Sequence, residues 1–170
     1  MNENVLHTNP AAKLILVVDD SPDSLELISS ELMKYYEVHV ATGGERCLEL
    51  ARRERRPDLI LLDVMMPGMD GYEVCRRLKA NPETAGIPVL FLTGRTAAED
   101  ESFGLEVGAE DYLSKPVNPA VMMARVRTHL RLEAAADYLR DQNVLLESEV
   151  ARRLRELSTA QDITIYAMAT

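Results

Sequence analysis

Apolar runs without polar interruption recur along the chain and set its predicted architecture. Three of them occupy residues 14–18, 59–62 and 89–92, and a shorter one occupies residues 111–114. Runs of this length, with no apolar–polar alternation, are typical of strands buried on both faces of a parallel sheet. A fifth and more polar strand is predicted over residues 37–41.

A helical pattern follows each predicted strand. Ser21 and Pro22 begin the first helix, residues 42–45 have the form of a capping box for the second, and a third helix is predicted over residues 71–80. A fourth begins near Thr96 and has few large apolar residues, so we expect it to be the least well anchored. Five alternations of strand and helix predict an α/β fold with a five-stranded parallel sheet covered on both faces.

The last helix is predicted to start after Asn118 and to continue beyond the domain. Residues 120–170 contain neither Gly nor Pro, and fifty helical residues would extend about 75 Å. Apolar residues recur on this helix as in a coiled-coil seam with a stutter, and Asn143 interrupts that seam. A helix that folds back on its own domain is the alternative. The seam residues are Leu139, Leu146, Val150, Leu154 and Leu157.

Composition narrows the possible partners and location. The formal net charge of -9 over 170 residues argues against a domain that holds duplex nucleic acid by its phosphates. No apolar run approaches the roughly 18 residues of a membrane span, so we expect no membrane partner and a cytoplasmic location. Cys47 and Cys75 lack the spacing of a metal or redox pair and are expected to be reduced thiols.

Polar side chains follow four of the predicted strands: Asp19 with Asp20, Asp63, Thr93 and Lys115. The carboxyl ends of parallel strands meet at one edge of a sheet, so these groups should surround one crevice. Carboxylates ~5 Å apart repel by on the order of 3 kcal/mol at an effective dielectric of ~20, so we expect a cation there. Oxygen ligands suit Mg²⁺. Asp63 is the candidate reactive group, because an aspartate oxygen could attack a phosphoryl group and form an acyl phosphate.

The same residues stand in motifs that resemble the response-regulator receiver domain of two-component signalling. The motifs are VVDDSP at residues 17–22, LLDVMMPGMDG at 61–71, LTG at 92–94 and YLSKP at 112–116. The resemblance covers about residues 14–132 and implies a flavodoxin-like (βα)5 fold with strand order 2-1-3-4-5. It also implies a histidine kinase or a phosphotransfer protein as the phosphoryl donor.

This resemblance implies a role for each acid. Asp63 would be the phosphoacceptor, and Mg²⁺ would be held by Asp20, Asp63 and the backbone carbonyl of Met65. Asp19 would act mainly through metal-bound water.

It also implies roles for the residues on the neighbouring strands. Thr93 and Lys115 would contact the phosphoryl oxygens, and Gly94, which lacks a side chain, would leave that group room. Tyr112 would be the aromatic switch that turns inward when Thr93 moves, although a half-buried strand residue is the alternative for Tyr112. Asp70 can be read more simply as the residue that opens its helix.

Residues 154–168 resemble the lead-in helix of HD-GYP domains, the cyclic di-GMP phosphodiesterases often joined to receivers. The expected organisation is a disordered tail at 1–12, a receiver at 13–132 and a helical linker at 133–170 that leads to an output domain and forms a homodimer. The chain has neither a His-Asp nor a Gly-Tyr-Pro motif, so this segment itself should not hydrolyse cyclic di-GMP. A diguanylate cyclase or a histidine kinase could follow the same kind of helix.

An enzyme of another class uses similar residues. Phosphatases of the haloacid dehalogenase type combine Asp, Thr, Lys and Mg²⁺ on a parallel sheet, and the second acid of their Asp-x-Asp motif is the general acid and base. Met65 stands at that position here, so a turnover phosphatase is disfavoured.

Overall fold

The sheet has five parallel strands. A computed structural model of the chain describes residues 12–94 and 107–168, with the side chains of the last helix described as far as residue 159. The strand order β2-β1-β3-β4-β5 confirms the predicted receiver-like sheet. The strands are β1 Leu14–Val18, β2 Glu37–Ala41, β3 Leu59–Asp63, β4 Val89–Thr93 and β5 Asp111–Ser114.

The described residues form four helices. Ser21 caps the first by accepting a hydrogen bond from the amide of Ser24 at 3.4 Å, and Pro22 opens that helix. The capping box predicted at residues 42–45 is wrong, because the second helix follows Gly43, which supplies no side-chain cap. The helices are α1 Pro22–Leu32, α2 Gly44–Ala51, α3 Gly71–Ala80 and α4 Pro119–Met168.

Two predicted features lie outside the described residues. They are the N-terminal tail, of which only residue 12 is described, and most of the helix predicted from Thr96.

The sheet separates two apolar cores. Every residue of β1, β3 and β4 is buried, as expected of strands covered on both faces. Alternate residues of β1 enter opposite cores, with Ile15 in the core that contains Ile28 of α1, and Leu16 in the core that contains Cys47 of α2. The two cores fix the sheet, and the sheet in turn fixes its carboxyl edge.

The chain divides into two units. Residues up to Leu130 form the unit that contains the sheet, and Arg131–Thr170 form the second, which contains the remainder of α4. No helix among the described residues is both long enough and apolar enough to cross a bilayer.

Candidate functional site

At the carboxyl edge of the sheet, four of the polar residues predicted from the strand ends meet: Asp19, Asp20, Asp63 and Lys115. Asp63 ends β3 and pairs in register with Leu92 of β4, the residue before Thr93. Thr93 pairs in register with Ser114 of β5, the residue before Lys115. Parallel pairing therefore brings together side chains from positions far apart in the sequence.

Three carboxylates form a cluster at this edge. One oxygen of each of Asp19, Asp20 and Asp63 lies within 4.8 Å of the others. Asp19 is fully buried and Asp63 is 4% exposed, whereas Asp20 is exposed to solvent. The cluster thus has two buried acids and one that faces water.

Lys115 joins the two buried acids. Its Nζ lies 2.6 Å from Oδ2 of Asp19 and 3.0 Å from Oδ2 of Asp63. The other oxygens accept from backbone amides: Oδ1 of Asp19 from Ser21 at 2.9 Å, and Oδ1 of Asp63 from Met65 at 3.3 Å. Each buried carboxylate is therefore oriented at both of its oxygens.

Burial and neighbouring charges shift the pKa values of the groups in the cluster. Burial raises the pKa of Asp63; the Lys115 contact opposes that rise and the charge of Asp19 adds to it. Burial disfavours the charged form of Lys115, but its hydrogen bonds to the two aspartates and their negative charges together outweigh burial and raise the pKa of Lys115. Among the described residues, one ammonium lies beside three carboxylates, so these groups together have an excess of negative charge.

The donor set fits a divalent cation. Carboxylate oxygens this close together, with Lys115 neutralising only part of their charge, match Mg²⁺, which prefers oxygen ligands and needs few of them from the protein because waters complete its octahedral shell. Met65 follows Asp63 by two residues, and its amide contacts the Asp63 carboxylate, so its backbone lies beside the acids. Asp19, Asp20 and Asp63, with the Met65 carbonyl, are the residues that could hold the metal.

The loop after β3 is shaped by glycine. The amide of Gly71 donates to the carbonyl of Val64 at 2.9 Å, and a Cβ added at Gly71 would lie 2.3 Å from the carbonyl oxygen of Asp63. The start of α3 therefore rests directly on the backbone of Asp63. Sequence reasoning missed this role of Gly71, although the Asp-Gly pair that opens α3 was a signal for it.

Asp70 caps α3 and takes no part in the acidic cluster. Its carboxylate accepts from the amide of Glu73 at 2.8 Å. The simpler interpretation of Asp70 as a helix-opening residue is confirmed.

Gly94 and Tyr112 are the remaining residues predicted for the site. No atom of the described residues lies within 4 Å of a methyl group added at Gly94. Tyr112 is half-buried, and the guanidinium of Arg125 lies 5.6 Å from the centre of its ring. This geometry suits a cation–π contact.

A second polar group next to Tyr112 was missed by sequence reasoning. Asp111 contacts Arg125 through one carboxylate oxygen, and its other oxygen lies 3.1 Å from Nε2 of His129. No spacing in the sequence indicates a partner for His129. The contacts tie the first residue of β5 to α4.

Comparisons with known proteins agree with this fold and site. The response regulator receiver domain family matches residues 15–127. In structure, the chain is similar to chemotaxis protein CheY4 of Vibrio cholerae, with a TM-score of 0.66 and 34% identity, covering 69% of this chain and 98% of that one. With a matching sequence, sheet order and acidic edge, the chain belongs to the response regulator receiver domain family.

Two longer relatives share the domain. The chain is 46% identical over 156 residues to a Vibrio cholerae serotype O1 protein named "Probable cyclic di-GMP phosphodiesterase", covering 92% of this chain and 35% of that protein. It is 47% identical over 127 residues to the response regulator PleD of Caulobacter vibrioides, covering 74% of this chain and 28% of PleD. The chain therefore spans about a third of the length of these relatives.

Proposed function

We propose that the chain is a phosphorylation-dependent switch whose phosphoacceptor is the carboxylate of Asp63. The observation that carries the proposal is the placement of this carboxylate at the buried end of β3, 3.0 Å from the ammonium of Lys115 and beside Asp19 and Asp20. Three acids and a lysine follow or end β1, β3 and β5, and two of the acids are buried. Packing alone does not favour this arrangement, because taking charges out of water is costly.

The proposed reaction is a phosphoryl transfer from a phosphohistidine. An oxygen of Asp63 attacks phosphorus, the new O–P bond forms as the P–N bond breaks, and the donor histidine keeps the electron pair. Lys115 pairs with the phosphoryl oxygens, and the hydroxyl of Thr93 donates to them. Mg²⁺, held by the acids and the Met65 carbonyl, would supply positive charge against the transferred group.

The proposed signal passes from the site to the last helix. Thr93 moves toward the phosphoryl group, and Tyr112 turns inward behind it. Since Arg125 of α4 lies over the Tyr112 ring, a change at Tyr112 reaches that helix directly. Such coupling is a shift between two populated states, of about 1–3 kcal/mol.

The proposed output is an HD-GYP cyclic di-GMP phosphodiesterase that follows α4. In support, the match to the Vibrio cholerae phosphodiesterase covers 156 residues, which is more than the receiver family occupies here, whereas the match to PleD covers 127. The longer match is to the relative that is named a phosphodiesterase, and this favours a phosphodiesterase as the output. The chain would report phosphorylation to that domain and would not itself be an enzyme.

The proposed assembly is a homodimer through α4. Leu139, Leu146, Val150, Leu154 and Leu157 are each between 56% and 62% exposed. An exposed apolar stripe at coiled-coil spacing is stabilised when a second helix covers it.

Beryllofluoride, a mimic of the phosphoryl group, tests the switch. The activated receiver domain of DrrB, a Thermotoga maritima protein, was solved with BeF3 and has a TM-score of 0.62 and 37% identity to this chain. We expect a protein-bound ¹⁹F resonance that requires Mg²⁺ and is lost in Asp63→Asn. A bound signal that persists in Asp63→Asn would refute the assignment of the acceptor.

A further inference from the structure

The exposed apolar stripe of α4 contains a polar residue, Asn143. Read as a heptad, Leu132, Leu139 and Leu146 occupy d positions, and Ala136, Asn143 and Val150 occupy a positions. The large apolar members are 56–62% exposed, and Asn143 is exposed as well. Asn143 therefore lies within the apolar stripe and between two of its leucines.

The hydrogen bonds of an asparagine side chain in such a seam are best satisfied by the same asparagine of a second helix. Its amide both donates and accepts, so two facing Asn143 side chains complete each other's hydrogen bonds. In an antiparallel pair an a position faces a d position, which would bury the Asn143 amide against leucine. A parallel pair shifted by one heptad would place it against Ala136 or Val150.

The apolar residues of the seam agree with that arrangement. A β-branched residue at a with leucine at d favours two parallel strands, and Val150 and Leu146 are such a pair. The positions that flank the seam carry no like charges that would meet: in a parallel dimer Gln142 faces Glu147, and Ala135 faces Arg140.

A strict heptad would place Arg153 at the d position after Leu146. The stutter predicted for this seam instead continues the stripe at Leu154 and Leu157, so that Arg153 lies beside the contact. Arg152 pairs within its own helix with Glu149 at 2.7 Å and with Glu156 at 2.6 Å, and Arg153 pairs with Glu149 at 3.0 Å. These pairs keep the outer face solvated and leave the apolar stripe as the surface to be covered.

We propose that α4 pairs with α4 of a second copy of this chain as a parallel, in-register, two-stranded coiled coil that is specified by Asn143 pairing with Asn143. This inference rests on the proposed homodimer and adds its orientation and register. A parallel pair brings the ends of the two helices to the same side, so any domains that follow them are delivered together.

Cysteine cross-linking of the full chain tests the orientation. Ala136→Cys and Val150→Cys are both a positions, about 21 Å apart along the helix. A parallel in-register dimer links each variant to itself under mild oxidation. The matched outer-face variants Ala134→Cys and Ser148→Cys should link poorly.

The two native cysteines do not interfere with this test. Cys47 and Cys75 are buried, and burial raises their pKa to about 12 and about 11, so both thiols are poor nucleophiles at neutral pH. They are the only cysteines of the chain. An introduced thiol on α4 is therefore the reactive one.

The antiparallel outcome has a distinct signature. In an antiparallel pair at most one of Ala136→Cys and Val150→Cys can link to itself, and a mixture of the two would link across. Either result would overturn the inference while leaving the homodimer in place. Light scattering that shows only monomer, with and without Mg²⁺ and beryllofluoride, would overturn the homodimer and the inference together.

Replacing Asn143 tests its role directly. We expect Asn143→Leu to tighten self-association about tenfold or more, because a buried polar pair is weaker than an apolar one, and to produce mixed orientations or larger assemblies. The control Ser148→Leu adds the same side chain to the outer face and should leave the dissociation constant unchanged. A dimer with unaltered affinity and cross-link pattern in Asn143→Leu would show that Asn143 does not specify the seam.

Discussion

The close approach of α3 to the end of β3 makes Gly71→Ala an informative perturbation. A methyl group at Gly71 would lie 2.3 Å from the Asp63 carbonyl oxygen and 2.9 Å from the Cα of Val64. Both neighbours are backbone atoms, which cannot rotate away as a side chain can. The start of α3 or the end of β3 must therefore retreat by about 1 Å to reach an ordinary contact.

The magnitude follows from three contributions. Overpacking against fixed neighbours destabilises by about 1–3 kcal/mol, and the displaced hydrogen bond from the Gly71 amide to the Val64 carbonyl is worth about 1 kcal/mol. The better helix propensity of alanine offsets up to about 1 kcal/mol. We expect a net loss of about 2 kcal/mol, or about 4–8 °C in Tm for a chain of this length.

Urea denaturation followed by near-ultraviolet circular dichroism measures this loss. The chain has no tryptophan, and the ring of Tyr72 packs edge-on against Phe91 at 5.2 Å, so the tyrosine signal reports on the core of the sheet-containing unit. Gly86→Ala is the matched control, because a Cβ there meets nothing within 4 Å. If Gly71→Ala loses no more than about 0.5 kcal/mol relative to this control, the close approach is not a constraint.

Further predictions concern charge and burial. In EDTA at pH 8, Asp63→Asn should unfold at higher urea than the parent. The raised pKa of Asp63 means that the folded state binds this proton more tightly than the unfolded state does. The stabilising contribution of this group is therefore present at acid pH, below the usual carboxyl pKa, and is lost as pH rises through the raised pKa. The gain from Asp63→Asn should therefore shrink as pH falls, and a gain that is constant with pH would contradict this cause. Asp111→Ala removes an acceptor shared by two side chains of α4 and should cost about 1–3 kcal/mol in urea unfolding, with Glu83→Ala as an exposed control that costs little. A thiol reagent should label Cys47 and Cys75 slowly at pH 8 and rapidly in urea, and fast labelling of the native protein would show that these thiols are accessible.

Sequence patterns predicted the strands of the sheet and the polar residues that follow them, because both depend on local regularities along the chain. Unbroken aliphatic runs identify central strands, and parallel pairing then forces residues such as Asp19 and Lys115, 96 positions apart, onto one edge. The order of the strands followed from the family resemblance, since hydrophobic periodicity does not determine which strands are neighbours.

The features that were missed depend on contacts between elements. The constraint on Gly71 exists because α3 starts against the backbone of β3. A glycine at a helix start permits such an approach, but the sequence does not give its distance. The partners of His129 come from the packing of α4 beside β5, and the capping pattern at residues 42–45 failed because Gly43 supplies the cap position instead of Thr42. A sequence pattern for a helix start gives the residue types but not the backbone conformation at each position, so it does not fix which residue is the cap.

Mass spectrometry of the intact chain after incubation with acetyl phosphate and Mg²⁺ tests the central claim most directly. The parent chain should gain the mass of one phosphoryl group, the gain should require Mg²⁺, and hydroxylamine should remove it because an acyl phosphate is labile to nucleophiles. Asp63→Asn should gain nothing under the same conditions. A parent chain that stays unmodified, or an Asp63→Asn chain that is modified to the same extent, would contradict the assignment of Asp63 as the phosphoacceptor.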